Sequence, residues 1–251
     1  MNVSKNELTA LLKQTFEALG FFSGEYERAA ETIVWTEMNG MGGLGALNLA
    51  LPYFAQDKHQ PTKLISDNPG HATLDAENGS SLSCADLAMD LAFVKASTQG
   101  FATVTVLNCH NRKLLLKSVI DCGRRDMACM AYWRNASNPI IEHVCSAGSG
   151  VIPHYRASTV PAQGNIEYAH RQSLFICCSS SVQRLDDHFH SRFRQAQEEI
   201  TTAETAAMER HYRNSLSQGL DIDEQLWQRL QQLAKKVLVE SSAQSRMGAG
   251  S

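Results

Sequence analysis

Five successive residues, Asn108, Cys109, His110, Asn111 and Arg112, bring together two amides, a thiol, an imidazole and a guanidinium. They follow the apolar, β-branched run Ala102–Leu107, which predicts a buried strand, so they stand at a strand's polar tip. In open α/β folds, ligands and chemistry gather at such tips. His110 titrates near neutrality and can serve as general acid, general base or oxyanion donor. The competing use is a loop histidine bonded to backbone. Asn108 and Asn111 add amide donors and acceptors beside it. Arg112 can grip a carboxylate or phosphate through two parallel hydrogen bonds, although a surface ion pair is the commoner fate of an arginine. Cys109 beside His110 suggests a thiol–imidazole pair, but neighbours on an extended segment point to opposite faces.

A second stretch, Glu37–Tyr53, is informative for what it lacks. Gly40, Gly42, Gly43 and Gly45 bound a loop with no acid, base or nucleophile between them. These glycines follow a helix in the sequence pattern rather than opening one, which argues against a phosphate cradle at a helix N-terminus. A flexible or closely packed turn is the expected use. No G-x-G-x-x-G follows a strand, and no Walker sequence is present. Asp186, Asp187, His188 and His190 resemble a metal cluster, yet Phe189 and Phe193 set helical spacing there. Residues two apart on a helix diverge by about 200°, and zinc requires three or four ligands, so no metal site is expected. Cys177–Cys178 falls in an apolar run and reads as core packing.

The elements that must position these residues are marked along the chain. Ser4 and Glu7 form a capping-box pattern, with Val3 and Leu8 as its hydrophobic staple, and Gly20 suits the residue past the helix end. A second helix spans about Glu25–Asn39, and a short apolar segment, Leu47–Phe54, follows the glycines. Residues 57–71 read as loop. Ala72–Ala76 is a strand, and Ser83 with Asp86 caps a helix through about Thr98 that Gly100 ends. Beyond the tip come a helix at about Lys113–Ile120, closed by Gly123, and a strand at Met127–Trp133, expected to pair with the first strand through a right-handed crossover. Asn138–Pro139 and Ala147–Gly150 are loops. Ser173–Ser181 is an apolar strand. A helix runs from about Asp187 to Leu216, and a last one is capped by Asp223, with Ile222 stapled on Trp227. The fold class is therefore α/β: a single domain over 1–251, with a mixed sheet in 72–182 and mainly helical 1–54 and 187–251.

Composition limits the functions open to the chain. Its 251 residues carry a net charge of −3, which disfavours nucleic-acid binding by backbone neutralisation. No apolar run reaches the roughly 18 residues of a membrane span. The N-terminus, MNVSKNELTALL, lacks a signal-peptide core, so the expected location is cytoplasmic. Seven irregularly spaced cysteines point to reduced thiols rather than a disulfide framework.

The two stretches together resemble the malate/L-lactate dehydrogenase family, which is unrelated to the Rossmann-type lactate dehydrogenases. That family carries a G-x-x-S-H-G loop and an R-L-P-x-Y-like stretch after a helical N-terminus. Here Gly40–Gly45 and Leu51–Pro52–Tyr53 take those places. Its later N-S-x-H-F-G follows a small-residue helix and a strand, an order that Ser83–Phe93, Ala102–Leu107 and Asn108–Asn111 repeat. The resemblance covers about residues 4–135. The closing stretch Leu220–Trp227, with Ser245, Arg246 and Gly248–Gly250, is similar to one in small bacterial proteins near this family.

The resemblance implies a non-Rossmann, usually dimeric, NAD(P)-dependent oxidoreductase acting on 2-hydroxy or 2-imino acids. It places His110 at the family histidine after the strand, and Asn108, Asn111 and Arg112 near the cofactor. The Ser-His of the family loop falls on Gly43 and Leu44, and the substrate arginine falls near Asn48. A leucine cannot exchange a proton, and loss of a base or a carboxylate clamp costs orders of magnitude in rate. The expectation is a catalytically degenerate homodimer that binds a small metabolite or a protein partner in the old cleft. The alternatives are an active NAD(P)H-dependent oxidoreductase whose acid/base has moved to His110 or His59, and a non-enzymatic interaction protein working through its C-terminal helices.

Overall fold

The structure, a computed structural model, describes residues 1–54, 61–135, 140–148, 154–159, 172–192, 198–203 and 205–236. Helix α1 (Lys5–Ala18) starts as its sequence dictates. Ser4 Oγ accepts the Glu7 amide, and the Glu7 carboxylate accepts the Ser4 amide at 2.8 Å. Val3 and Leu8 lie in one buried cluster. Strand β1 (Asn2–Val3) pairs with β10 (Leu220–Asp221), which ties the first residues to the last described helices.

Helix α2 (Ser23–Met38) leads into the glycines, and here the sequence reading needs correction. The apolar segment after them is a longer helix, α3 (Gly43–Phe54), and Gly43 opens it. A Cβ on Gly43 would stand 2.4 Å from the Ile33 carbonyl oxygen and 2.8 Å from the Glu37 nitrogen. The missing side chain is what lets α3 seat on α2, so the close-packed use of this glycine holds.

The sheet has eight strands: β2 (Lys63–Asn68), β3 (His71–Asp75), β4 (Phe101–Leu107), β5 (Ala128–Arg134), β6 (Ile141–Ala147), β7 (His154–Thr159), β8 (Leu174–Ser179) and β9 (Glu198–Ala203). Their spatial order is β2-β3-β4-β8-β5-β6-β7-β9. Only β3 and β4 run parallel, so the sheet is mixed. The expected β4–β5 pairing does not occur. β8 lies between them, antiparallel to both, with Ile176 opposite Val104 on one side and Ala131 on the other. An uninterrupted apolar run is what a central strand needs. Both outer strands depart from the pattern expected of their sequences. β2 lies in the stretch expected to be loop, and β9 interrupts the expected long helix, leaving α6 (Val182–Arg192) and α7 (Thr205–Gln218) on either side.

One sheet face is covered by α4 (Ser81–Gln99) and α5 (Leu116–Gly123), burying Ala88, Ala92, Val104, Leu115, Val119, Leu174 and Ile176. The cap of α4 is Ser80 rather than Ser83, because the Ser83 hydroxyl donates to the Ser80 carbonyl at 2.9 Å. The opposite face packs under α6 through Met130, Tyr132, Val144, Cys177 and Leu185. A separate core joins α1, α2 and α3 to α8 (Glu224–Ala234), which Asp223 caps; Ile222 is buried there with Trp227 packed against it. No helix among the described residues is long and apolar enough to cross a membrane. His59, Asn138–Pro139, 149–150 and the tail 237–251 lie outside the described residues.

Candidate functional site

β4 ends at Leu107, and the tip turns through two asparagines with positive φ, 50° at Asn108 and 52° at Asn111. Asparagine tolerates this left-handed region better than most residues. Asn108 Nδ2 donates to both Asp75 carboxylate oxygens, at 3.0 and 3.1 Å, so this side chain locks the tip to the end of β3. The His110 backbone bridges to α4: its amide donates to the Gly79 carbonyl and its carbonyl accepts the Ser81 amide, both at 2.9 Å. Its imidazole is half-buried. The Asn111 carbonyl accepts the Ser81 hydroxyl at 2.8 Å, while its Oδ1 is enclosed without a partner.

Arg112 is a staple. Its Nη1 donates to the Cys109 carbonyl at 2.7 Å and its Nη2 to the Arg134 carbonyl at 2.9 Å, fixing the tip to the end of β5. Its Nε is enclosed and unpartnered, and burial lowers its pKa from the ordinary arginine value. With both outer nitrogens committed, no fork remains for a ligand. Cys109 is buried with its sulfur 3.6 Å from Cys84 Sγ, so its thiol serves the core.

The glycine loop and the tip do meet. Lys113, in the 3₁₀ turn Arg112–Leu115 that precedes α5, brings its Nζ to 3.9 Å from where a Gly42 Cβ would stand. Gly42 holds φ +69°. Lys113 makes no ion pair among the described residues; its Nζ lies 5.9 Å from the Tyr155 ring centroid. Burial lowers its pKa, and the Glu37 carboxylate opposes that fall. Glu37 itself accepts the Leu44 amide at 2.8 Å, capping the first turn of α3.

Leu44 and Asn48 are not part of this meeting. The Leu44 side chain is buried in the α1–α2–α3–α8 core. Asn48 is exposed on α3, where its Oδ1 faces Arg229 Nη1 at 3.5 Å.

Beneath Lys113 the sheet presents residues that the sequence reading passed over. His143 on β6 stacks on Trp133 of β5, with centroids 5.1 Å apart and planes 6° apart. Its Nδ1 lies 2.9 Å from the Tyr155 hydroxyl of β7, and its Nε2 has no hydrogen-bond partner among the described residues. Burial, then the charges of Lys113 and Arg112, hold His143 down to about 4. Burial raises Tyr155 to about 12. At neutral pH the pair is therefore a neutral imidazole and a protonated phenol beside an ammonium. Such a set can seat an anion on Lys113 and exchange one hydrogen bond, or one proton, at Nε2. The traceable signal was the alternation of Ile141–Ala147, which puts His143 and Cys145 on one face. The described residues include no group of three or more His, Cys, Asp or Glu side chains that could hold a metal ion.

Comparison with known proteins fits this architecture. No curated protein matches the chain. Among solved structures, malate dehydrogenase from Pyrococcus horikoshii OT3 is 13% identical with a TM-score of 0.68, and the match covers 96% of each chain. Sulfolactate dehydrogenase from Methanocaldococcus jannaschii is 11% identical, TM-score 0.66, over 96% of this chain and 98% of that one. Δ1-piperideine-2-carboxylate reductase from Pseudomonas syringae is 11% identical, TM-score 0.60, over 93% and 99%. At such identities these likenesses establish the shared fold. The profile of the malate/L-lactate dehydrogenase family matches residues 3–147, more than half of the sequence. The chain belongs to the malate/L-lactate dehydrogenase family.

Proposed function

We infer that this protein is a divergent member of its family that binds a small carboxylate metabolite beside Lys113, where the glycine loop meets the tip, without the family's dehydrogenase chemistry. The observation that carries the reading is Lys113: a half-buried ammonium without an ion pair among the described residues, set over an aromatic ring at the junction of the two stretches. A half-buried cation that forms no direct ion pair favours an anionic guest. The structural neighbours are named for malate, sulfolactate and Δ1-piperideine-2-carboxylate, each a small carboxylate. The 2-oxygen of such a ligand would meet His143 Nε2.

The family implies a nicotinamide dinucleotide, and the described residues fit one poorly. Arg112 spends its outer nitrogens on backbone carbonyls, Gly43 is occupied by packing on α2, and the enclosed Asn111 Oδ1 and Arg112 Nε are isolated buried atoms rather than a phosphate seat. A second reading, an oxidoreductase with a relocated acid/base, draws on the His143–Tyr155 pair in place of His110 or His59. The homodimer belongs to the proposal as well, and light scattering tests it. Calorimetric titration separates the two functional readings. The expected result is binding of malate, lactate or pyruvate that Lys113→Ala abolishes, with no heat from NADH or NADPH. Micromolar NADH or NADPH binding together with hydride transfer to pyruvate would overturn the proposal in favour of the second reading.

A further inference from the structure

A cavity of about 270 Å³ opens between α2, α4 and α5, and neither Lys113 nor His143 lines it. Its walls are charged: Arg28, Lys117 and Arg125 alternate with carboxylates, and Arg28 pairs with Asp86 at 2.9 Å. Its floor is sulfur, with Met89 and Cys122 both lining it. Cys122 Sγ lies 3.8 Å from Cys178 Sγ on β8, and Cys178 Sγ lies 3.8 Å from Met89 Sδ. Charged side chains thus lead inward to a pair of buried thiols in contact with one another.

We propose that Cys122 is a hydroperoxide-reactive thiol reached through this cavity, and that Cys178 resolves it to a Cys122–Cys178 disulfide. The surroundings divide the two roles. Contact with the Cys129 and Cys178 sulfurs, ahead of the nearby charge of Arg125, holds Cys122 down to about 4, while the Cys129 thiol itself donates to the Val119 carbonyl at 2.9 Å. The same contacts and burial push Cys129 and Cys178 up, so these keep their protons. The thiolate is the attacking species. The Cys122 sulfur attacks one peroxide oxygen; the S–O bond forms, the O–O bond breaks, and the departing oxygen leaves as water. The Cys178 sulfur then attacks the sulfenic sulfur, forming the S–S bond and releasing a second water. Two thiols give up two electrons and two protons, and the peroxide is reduced to two waters. The other close pair lacks this arrangement. Cys84 Sγ and Cys109 Sγ are 3.6 Å apart, but neither lines the cavity, and the Cys109 thiol together with burial pushes Cys84 up.

The consequence for the molecule lies in α5. Two sulfurs 3.8 Å apart must close to about 2.05 Å in a disulfide, drawing α5 toward β8.

The test is cysteine mapping of the reduced, full-length protein after hydrogen peroxide, with alkylation under denaturing conditions and tandem mass spectrometry. Fragment ions must separate Cys177 from its neighbour Cys178. The expected product is the Cys122–Cys178 cross-link, formed about tenfold faster than any change at Cys84 or Cys145. In Cys178→Ser, a 1,3-diketone probe should trap a sulfenic acid at Cys122. A first cross-link between Cys84 and Cys109, or equally slow oxidation of all seven thiols, overturns the proposal on wild-type protein alone, whether or not the variant folds.

Discussion

His143 Nδ1 lies 2.9 Å from the Tyr155 hydroxyl, and this contact joins β6 to β7 where Lys113 stands over the Tyr155 ring. The imidazole is held down to about 4 by burial and by Lys113 and Arg112, so the folded protein keeps it neutral where the unfolded chain protonates it. Between about pH 6.5 and 4 the unfolded state binds the extra proton, so stability falls as pH falls through that window and is complete above it. Between pH 7.5 and 4.5 the loss is at most on the order of 2–3 kcal/mol. Urea denaturation at pH 4.5 and 7.5 should show this loss in the wild type and a flatter profile in His143→Gln. Equal slopes in both would remove His143 as the cause.

Arg112 offers a sharper test of the tip. Its two outer nitrogens donate to the Cys109 and Arg134 carbonyls at 2.7 and 2.9 Å. A lysine keeps the charge but lacks the planar fork, so Arg112→Lys should destabilise by about 2–3 kcal/mol through lost charge-assisted bonds. The ligand affinity proposed for Lys113 should fall with it, since the neighbouring residue positions that ammonium. A chevron or urea midpoint unchanged by the exchange would show that the staple carries no stability.

Two glycines two positions apart, Gly43 and Gly45, should behave in opposite ways. A Cβ on Gly43 would meet the Ile33 oxygen at 2.4 Å, whereas one on Gly45 would meet nothing within 4 Å. Gly43→Ala must push α3 off α2 and should cost about 3 kcal/mol or more, as overpacking does. Gly45→Ala lies inside α3 and should stabilise by about 0.5–1 kcal/mol through helix propensity. Thermal melts of the two variants give the comparison directly.

These examples mark what a sequence window can reveal. The Ser4–Glu7 box, the Asp223 cap and the β8 run were legible because each depends on residues within a few positions of one another. The tip was legible for the same reason. The insertion of β8 between β4 and β5 was not, because it is decided by which strand is apolar on both faces once the sheet assembles. β2 and β9 are edges, and an edge strand's pattern is weak because one side faces solvent. Lys113, His143 and Tyr155 come from three separate elements. Their meeting follows from the β6–β7 register, Cys145 opposite Tyr155, which no local pattern encodes.

Leu44 provides the last prediction, since it stands where the family resemblance calls for a histidine. Its side chain is 6% exposed and packs in the core shared with Leu47, Leu51 and Ile33. Leu44→His would therefore bury an imidazole among aliphatic side chains rather than return a base to the cleft. The expected cost is about 2–3 kcal/mol, from lost packing and from a polar group without a partner. For a chain of this size that lowers the melting temperature by roughly 5–10 °C. Leu44→Met, which conserves volume, should stay within about 1.5 kcal/mol of the wild type and shows that the site tolerates exchange as such. Assayed with NADH and pyruvate, the histidine variant should show no hydride transfer above the wild type. A gain of pyruvate reduction in Leu44→His would mean that the core opens at this position, and that one residue separates this protein from its family's reaction.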